Sequence, residues 1–111
     1  MSYQNVQIEG YATHDPETKK TKTGKTVCNF SLAYNHTSKN DSEPHVSYVD
    51  IETWETIADI CSNNISKGKH IMVFGNLRQE RWKGDDGKNK SRLKVVGNQV
   101  KFLESPSKTI Q

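Results

Sequence analysis

The alternation of apolar and polar residues along most of the chain constrains its fold more than any other feature. An alternation with a period of two is typical of a strand that buries one face. It is clearest in the segment whose inward side chains would be Cys28, Phe30, Leu32 and Tyr34. The period changes once, to helical spacing, over the residues Ile57, Ala58, Cys61 and Ile65. The sequence therefore predicts a series of strands interrupted by a single helix.

Five strands follow from this pattern. The first contains Val6 and Ile8 and is expected to end at Gly10 in a bulge or bend. The second carries the series above, after a polar loop over 19–25, and a longer loop is expected over 35–44. The third strand turns Val49 and Ile51 inward. The fourth spans 70–82, and the fifth follows a hairpin turn and spans about 89–102.

The helix has candidate boundary residues. Thr53 or Thr56 is expected to cap its start, and Gly68 is expected to stop it. Five strands with one helix between the third and the fourth is the order of an OB-fold, a partly open barrel that commonly binds oligonucleotides. The sequence therefore predicts an all-β protein, with a five-stranded Greek-key barrel of this type over residues 1–104 and a short disordered C-terminus over 105–111.

The composition limits what such a barrel can bury. With 111 residues, of which 32% are hydrophobic, the chain has room for one domain with a modest core. Residues Ile71 to Phe74 are apolar on both faces, as in a strand of a closed barrel or of a subunit interface. We therefore expect a homo-oligomer, specifically a tetramer built from dimers.

Charge is unevenly distributed along the chain. The formal net charge is +3, but the segment from Lys67 to Lys101 holds ten Lys or Arg residues and three acids. The segment from Asp41 to Asp59 holds six acids and no Lys or Arg. The sequence thus predicts a basic face that would meet a polyanion, and an acidic one. A solvated charge imbalance without function is the alternative.

Several classes of protein find little support. Cys28 and Cys61 form no CxxC pair, so we read both as reduced hydrophobic residues of a cytosolic protein. The four histidines show no ligand spacing, and no catalytic set is evident, so no enzyme, metal or other cofactor is expected. The enzyme alternative is a metal-dependent nuclease that uses Asp50, Glu52 and Glu55. No export leader or membrane-spanning run is present, which predicts a cytoplasmic protein.

The fourth strand ends in side chains that suit one class of ligand. Trp82 lies among Arg78, Arg81 and Lys83, next to a Gly-Asp-Asp-Gly turn. Single-stranded nucleic acid uses both kinds of side chain, because its bases stack on aromatic faces and its phosphates pair with cations. The residues by themselves therefore indicate a single-stranded nucleic acid as the partner.

Several motifs together resemble the DNA-binding domain of the bacterial single-stranded DNA-binding proteins. In order, they are the opening strand with Gly10, DPE over 15–17, NFSLA in the second strand, ISKG after the helix, and GNLRQERW over 75–82. The similarity extends from about Asn5 to Leu103. It implies an OB-fold that forms homotetramers and binds and protects single-stranded DNA without sequence preference. The implied setting is replication, recombination and repair at the nucleoid.

The resemblance also implies which side chains stack on bases. Trp82 matches the family's aromatic at the end of the fourth strand, Trp54 an aromatic just before the helix, and Tyr48 an aromatic of the third strand. Where the family usually has a Trp after the second strand, this chain offers Tyr34 or His36. The alternatives are that Trp54 packs on the helix and that Tyr48 lines a subunit contact.

Phosphate contacts are expected around Trp82 and across the hairpin. The candidates are Arg78, Arg81, Lys83, Lys90, Arg92 and Lys94. Three of them, Lys90, Arg92 and Lys94, fall on one face of the fifth strand and would form a stripe. Asp50 and Glu52 share a face with Tyr48 and are expected to repel phosphate. Solubilising surface is the alternative for each cation.

The last residues depart from the family pattern. After Leu103 the sequence shows neither the Gly/Pro/Gln-rich linker nor the acidic tail by which such proteins recruit partner enzymes. We therefore expect a specialised paralogue or a shortened protein, and no docking of replication or repair proteins through such a tail. The alternative function is that of a primosomal replication protein, an OB-fold relative that acts mainly through protein partners.

Overall fold

The computed structural model describes residues 4–36 and 45–103. In these residues it contains the strands β1 Val6–Ala12, β2 Glu17–Lys20, β3 Thr26–His36, β4 His45–Trp54, β5 His70–Lys83 and β6 Asn89–Leu103, with the helix α1 Glu55–Asn64 between β4 and β5. The predicted C-terminal segment 105–111, and most of the predicted loop over 35–44, lie outside the described residues.

Five of the strands form a closed ring. β1 pairs with β5, β5 with β6, β6 with β4, β4 with β3, and β3 returns to β1. The closing contact is short, because β3 meets β1 only at Tyr11 and Ala12. β4 and β6 run parallel over two residue pairs, Ile51 with Val95 and Glu52 with Val96. The predicted all-β fold of OB type, with one helix before the last two strands, is confirmed.

The short strand β2 corrects the prediction of a polar loop over 19–25. Thr18 lies opposite Cys28 and Lys20 opposite Thr26, so β2 extends the sheet beyond β3. All four side chains of β2 are exposed, and no apolar alternation therefore marks this strand in the sequence. Only a turn remains of the predicted loop, in which the amide of Thr21 donates to the carbonyl of Lys25.

The core lies inside the ring, and α1 packs against one end of it. The inward residues Leu32, Ile51, Ile71, Val73 and Val95 are at most 1% exposed. The helix adds Ala58 and Cys61, which are completely buried, as the helical spacing predicts. Burial raises the pKa of the Cys61 thiol to about 11, so this side chain behaves as a small hydrophobic residue.

The start of α1 differs from the prediction. Trp54 is the N-cap residue and makes no side-chain cap hydrogen bond, while the Thr53 hydroxyl donates to the Cys28 carbonyl at 2.9 Å inside the core. Glu55 follows with a φ of 55°, a conformation that is costly for a residue with a side chain. The helix ends at Asn64, and Gly68, with a φ of 89°, belongs to the turn that follows.

Two glycines allow backbones to approach closely. Gly10 lies inside β1, which continues to Ala12 instead of ending there as predicted, and a Cβ at Gly10 would lie 2.6 Å from the Ala33 carbonyl oxygen. A Cβ at Gly75 would lie 2.0 Å from the Val96 carbonyl oxygen, beside the bulge at which β5 and β6 change register. Beyond Gly75 most side chains of the hairpin are exposed. We call residues 76–83 and 89–94 the hairpin arm.

Candidate nucleic-acid interface

One surface of β4, β5 and β6 carries most of the predicted site residues. Side chains alternate across a strand, so every second residue of these strands points out of the barrel on the same side. The register places Trp82 opposite Lys90, Glu80 opposite Arg92, and Arg78 opposite Lys94. We call this surface the groove face, and its side chains are Tyr48, Asp50, Glu52, Arg78, Glu80, Trp82, Lys90, Arg92 and Lys94.

Three of the predicted stacking residues lie on the groove face or at its edge. Tyr48 is 68% exposed and Trp82 is 43% exposed, although both are large aromatic side chains. The guanidinium carbon of Arg92 lies 5.6 Å from the centre of the Trp82 ring. Trp54, at the end of β4, is half-buried, and its indole Nε1 donates to Glu52 Oε1 at 2.9 Å. Accessible aromatic surface is therefore present at both ends of the groove face.

Tyr34 is separate from this set. Its cross-strand partner is Ser47, whereas Tyr48 is paired with Ala33, so Tyr34 and Tyr48 lie on opposite faces of the β3–β4 pair. The ring of Tyr34 lies 6.2 Å from that of His36, which hydrogen-bonds the Ser47 hydroxyl. Tyr34 and His36 therefore form a second aromatic group near the end of this strand pair.

A groove of about 660 Å³ adjoins the groove face. Its walls come from the β1–β2 connection, β2, β3, β4 and the hairpin arm. The carboxylates that line it are Asp15, Glu17, Asp50, Glu52 and Glu80, and the lysine and arginine side chains are Lys19, Arg92 and Lys94. Carboxylates outnumber these cations, so the groove itself is a poor place for phosphate, and the arm is a better one.

Glu52 is the centre of an ion-pair network. Lys94 Nζ lies 2.7 Å from one carboxylate oxygen and Arg78 NH2 lies 2.6 Å from the other. Burial by itself would raise the pKa of Glu52, but hydrogen bonds from Lys94 and Trp54 and the charge of Arg78 outweigh it and hold that pKa below its ordinary value. Cations of the protein therefore compensate the charge of Glu52, which weakens the repulsion of phosphate expected from this side chain.

The outer part of the network holds Arg92. Its guanidinium lies 3.0 Å from Glu80 and 3.9 Å from Asp50, which also accepts a hydrogen bond from the Ser31 hydroxyl at 2.7 Å. Hydrogen bonds from Arg92 and Lys94 lower the pKa of Glu80. The Arg92 side chain is half-exposed, so a phosphate can compete with these carboxylates for it.

The predicted stripe on the last strand is only partly on the surface. Lys90 and Arg92 are exposed, but Lys94 is 7% exposed, and its ammonium also bonds Glu80 at 3.2 Å. The reason is its position at the junction of the hairpin arm with the barrel, directly before the buried Val95. Lys94 is therefore placed to compensate buried carboxylates rather than to meet solvent anions.

Arg81 and Lys83 alternate with Trp82 along β5 and lie on the other face of the hairpin arm. Arg81 donates to Gln79 Oε1 at 2.8 Å, and both Arg81 and Lys83 are exposed. The predicted phosphate ligands thus divide between the two faces of the arm. They surround Trp82 instead of forming a single line.

From the sequence, Glu52 is expected to repel phosphate or, in the enzyme alternative, to hold a metal ion, and its contacts with Trp54, Arg78 and Lys94 are not foreseen. Glu52 and Lys94 come together because β4 pairs with β6, which brings their neighbours Ile51 and Val95 side by side. No period within either strand reveals that pairing.

Within residues 4–36 and 45–103, no group of three or more His, Cys, Asp or Glu side chains is arranged to hold a metal ion, and this includes Asp50, Glu52 and Glu55. Among the described residues, no helical segment has the length and hydrophobicity of a membrane span.

Comparisons with known proteins agree on one family. The sequence model of the "Single-strand binding protein family" matches residues 3–103. Single-stranded DNA-binding protein 1 of Synechocystis sp. is 36% identical over 107 residues, which cover 95% of this chain and 87% of that protein. Single-stranded DNA-binding protein 2 of Chlorobaculum tepidum is 31% identical, over 94% of this chain and 73% of that protein.

A solved structure supports the fold. The Plasmodium falciparum SSB in complex with ssDNA superposes with a TM-score of 0.85 and 22% identity, and the match covers 94% of this chain and 97% of that chain. At this identity the likeness is evidence for the shared fold.

Proposed function

The chain belongs to the single-strand binding protein family, and on this premise we propose how it binds single-stranded DNA. Bases stack on exposed aromatic side chains, and phosphates pair with the cations of the hairpin arm, without sequence preference. The protein acts by binding and not as an enzyme, and it serves in replication, recombination and repair. We place it in the cytoplasm, at the DNA of the nucleoid.

The observation that supports this proposal best is the position of Trp82. Its ring is 43% exposed on the hairpin arm, with Lys90 opposite and Arg92 near its face. An indole with this much exposed surface adds little to a hydrophobic core, whereas it offers a π-face for a base with cations for the adjacent phosphates. Stacking on such a ring contributes roughly 1–3 kcal/mol per base.

The proposed DNA path runs along the groove face and does not enter the depth of the groove. Bases contact Trp82, Trp54 and Tyr48 along the groove face, and Tyr34 extends the path around the β3–β4 strands. Phosphates meet the exposed cations of the arm, which are Arg78, Arg81, Lys83, Lys90 and Arg92. We assign Lys94 to the compensation of Glu52, since both side chains are buried together.

We also propose that the protein assembles into a homo-oligomer, specifically a tetramer. β1 pairs with β5 over Val6 to Tyr11 but with β3 only at its last two residues, so within the described part of the chain the other edge of residues 6–10 lacks a strand partner. Beside this edge the outward side chains of Tyr11, Met72 and Phe74 are partly exposed. An open strand edge next to apolar surface favours association with a second copy.

Titration of tryptophan fluorescence with poly(dT) tests the function. We expect saturable, stoichiometric quenching by poly(dT) and much weaker quenching by a duplex of equal length. Weak, partial quenching by both DNAs would favour the primosomal alternative, in which protein partners dominate. Cleavage of the DNA on addition of Mg²⁺ would favour the nuclease.

A further inference from the structure

We propose that Glu52 is a positioning residue of the DNA-binding surface. Its carboxylate fixes the Trp54 indole and the Arg78 guanidinium in the orientation in which they receive DNA, and Lys94 compensates its charge. This inference rests on the proposed binding of single-stranded DNA, and it adds a residue that does not itself touch the DNA.

The geometry shows three elements converging on one carboxylate. Glu52 Oε1 accepts from Trp54 Nε1 at 2.9 Å, at the junction of β4 and α1, and from Arg78 NH2 of β5 at 2.6 Å. Glu52 Oε2 accepts from Lys94 Nζ of β6 at 2.7 Å. One side chain therefore joins a stacking candidate, a phosphate candidate and the base of the hairpin arm.

Stability alone is a weak explanation for this arrangement. The Glu52 and Lys94 side chains are each 9% exposed, so both ions have lost most of their hydration. Replacing such a buried pair with apolar residues of similar volume is often neutral or even stabilising. What an apolar pair cannot do is accept a hydrogen bond from the indole and from the guanidinium.

The orientation of the Trp54 indole depends on contacts of its side chain. It begins α1 without a side-chain cap, and the next residue, Glu55, has a φ of 55°, so neighbouring contacts must maintain the local backbone. The hydrogen bond to Glu52 fixes the polar edge of the indole while the ring stays half-buried at the groove. An aromatic platform that is already ordered loses less entropy when a base stacks on it.

The test compares two variants that differ only at residue 52. Lys94→Met removes the ion pair but leaves the Glu52 carboxylate for Trp54 and Arg78. Glu52→Leu/Lys94→Met removes the carboxylate as well and keeps the site electrically balanced. Both are made in a Trp82→Phe background, in which Trp54 is the only tryptophan, and thermal unfolding verifies that each one folds.

The first readout is the fluorescence anisotropy decay of Trp54 without DNA. We expect Lys94→Met to match its parent and the double variant to show faster local motion of the indole. The second readout is affinity for poly(dT). We expect the double variant to bind at least about fivefold more weakly than Lys94→Met, which corresponds to the lower limit for one stacked base.

Equal anisotropy and equal affinity in the two variants would overturn the inference. So would parent-level affinity in any folded variant whose Trp54 has become mobile.

If the double variant does not fold, Glu52→Gln replaces it. This variant keeps an oxygen for Trp54 but loses the charge that holds Arg78. We then expect parent-like anisotropy with weakened binding, and a mobile Trp54 would overturn the inference. Failure of the Trp82→Phe parent itself to bind poly(dT) would instead contradict the proposed function.

Discussion

Lys94 of β6 and Glu52 of β4 form an ion pair of 2.7 Å in which each residue is only 7% exposed. The pair lies where the hairpin arm leaves the barrel, next to the short parallel contact of β4 with β6. Because Glu52 also bonds Trp54 and Arg78, the orientation of the arm is linked to that of the stacking surface.

Removing only one member of the pair should be costly. Glu52→Leu leaves Lys94 buried with Glu80 as its remaining carboxylate, and we expect a loss of about 3 kcal/mol in the free energy of unfolding. Glu52→Leu/Lys94→Met should recover most of this loss, since no buried charge remains uncompensated. Denaturant unfolding of both variants and the parent measures these differences. A double variant no more stable than Glu52→Leu would show that burial of the lysine is not the cause.

The same pair should make stability depend on pH in the acid range. The pKa of Glu52 is lower in the folded protein than its ordinary value of 4.5, so the unfolded chain binds more protons as the pH falls. The stabilisation is complete above about pH 4.5 and is lost as the pH falls through the folded pKa. The free energy of unfolding of the parent and of the double variant is measured between pH 7 and pH 3. Below about pH 4.5, we expect the parent to lose stability relative to the double variant. A difference that stays constant over this range would contradict the prediction.

Salt dependence should reveal which cations are free to bind phosphate. If each of the five exposed cations of the arm neutralised one phosphate in full, log affinity would fall against log salt with a slope of about −3.5 per subunit. Arg78 and Arg92 already pair with carboxylates, which offset their charge when a phosphate binds, whereas the structure shows no ion pair between Arg81, Lys83 or Lys90 and any other described residue. Only these last three cations count fully towards the slope. We therefore expect a slope of about −2 per subunit with poly(dT).

Two variants test the origin of that slope. Lys90→Gln should make it shallower by about 0.7, because one phosphate contact is lost. Glu80→Gln should make it steeper by a similar amount, because Arg92 is released from its closest carboxylate. Identical slopes for the two variants would show that pairing with carboxylates does not control phosphate binding. A slope near zero would argue against nucleic acid as the main ligand.

Assembly can be tested independently of DNA. We expect light scattering after size exclusion to give the mass of a homotetramer at micromolar concentration. Phe74→Lys, on the outward side of β5 beside β1, should shift the mass towards smaller species because a charge would be buried in the contact. Phe74→Met is the matched control and should leave the mass unchanged. A monomeric parent protein would rule out this assembly.

Much of the fold could be predicted from the sequence because each barrel strand has one buried face. Cys28, Phe30 and Leu32 alternate with polar residues, and their burial follows from that period. β2 could not be predicted in this way, since its four side chains are all exposed and its pairing with β3 depends on backbone hydrogen bonds. The start of α1 was also missed, because Thr53 uses its hydroxyl inside the core instead of at the helix end.

The candidate site was predictable to a smaller extent. The exposure of Trp82 and Tyr48 agrees with the stacking roles that the sequence indicates. The burial of Lys94 and the contacts of Glu52 depend on which strands become neighbours, and residues 52 and 94 are far apart in sequence. The resemblance offers Tyr34 as a stacking side chain like Tyr48, but alternation along β3 puts these two residues on opposite faces of the β3–β4 pair.

The affinity of Trp82→Ala for poly(dT), measured together with its thermal unfolding, shows whether bases stack on this ring. We expect binding to weaken by about 1–3 kcal/mol per base stacked on this ring, with an unchanged salt slope and nearly unchanged stability, because the indole faces solvent. Trp82→Phe should retain most of the affinity. Unchanged binding accompanied by a loss of several kcal/mol in stability would show that Trp82 supports the fold, and it would contradict the account.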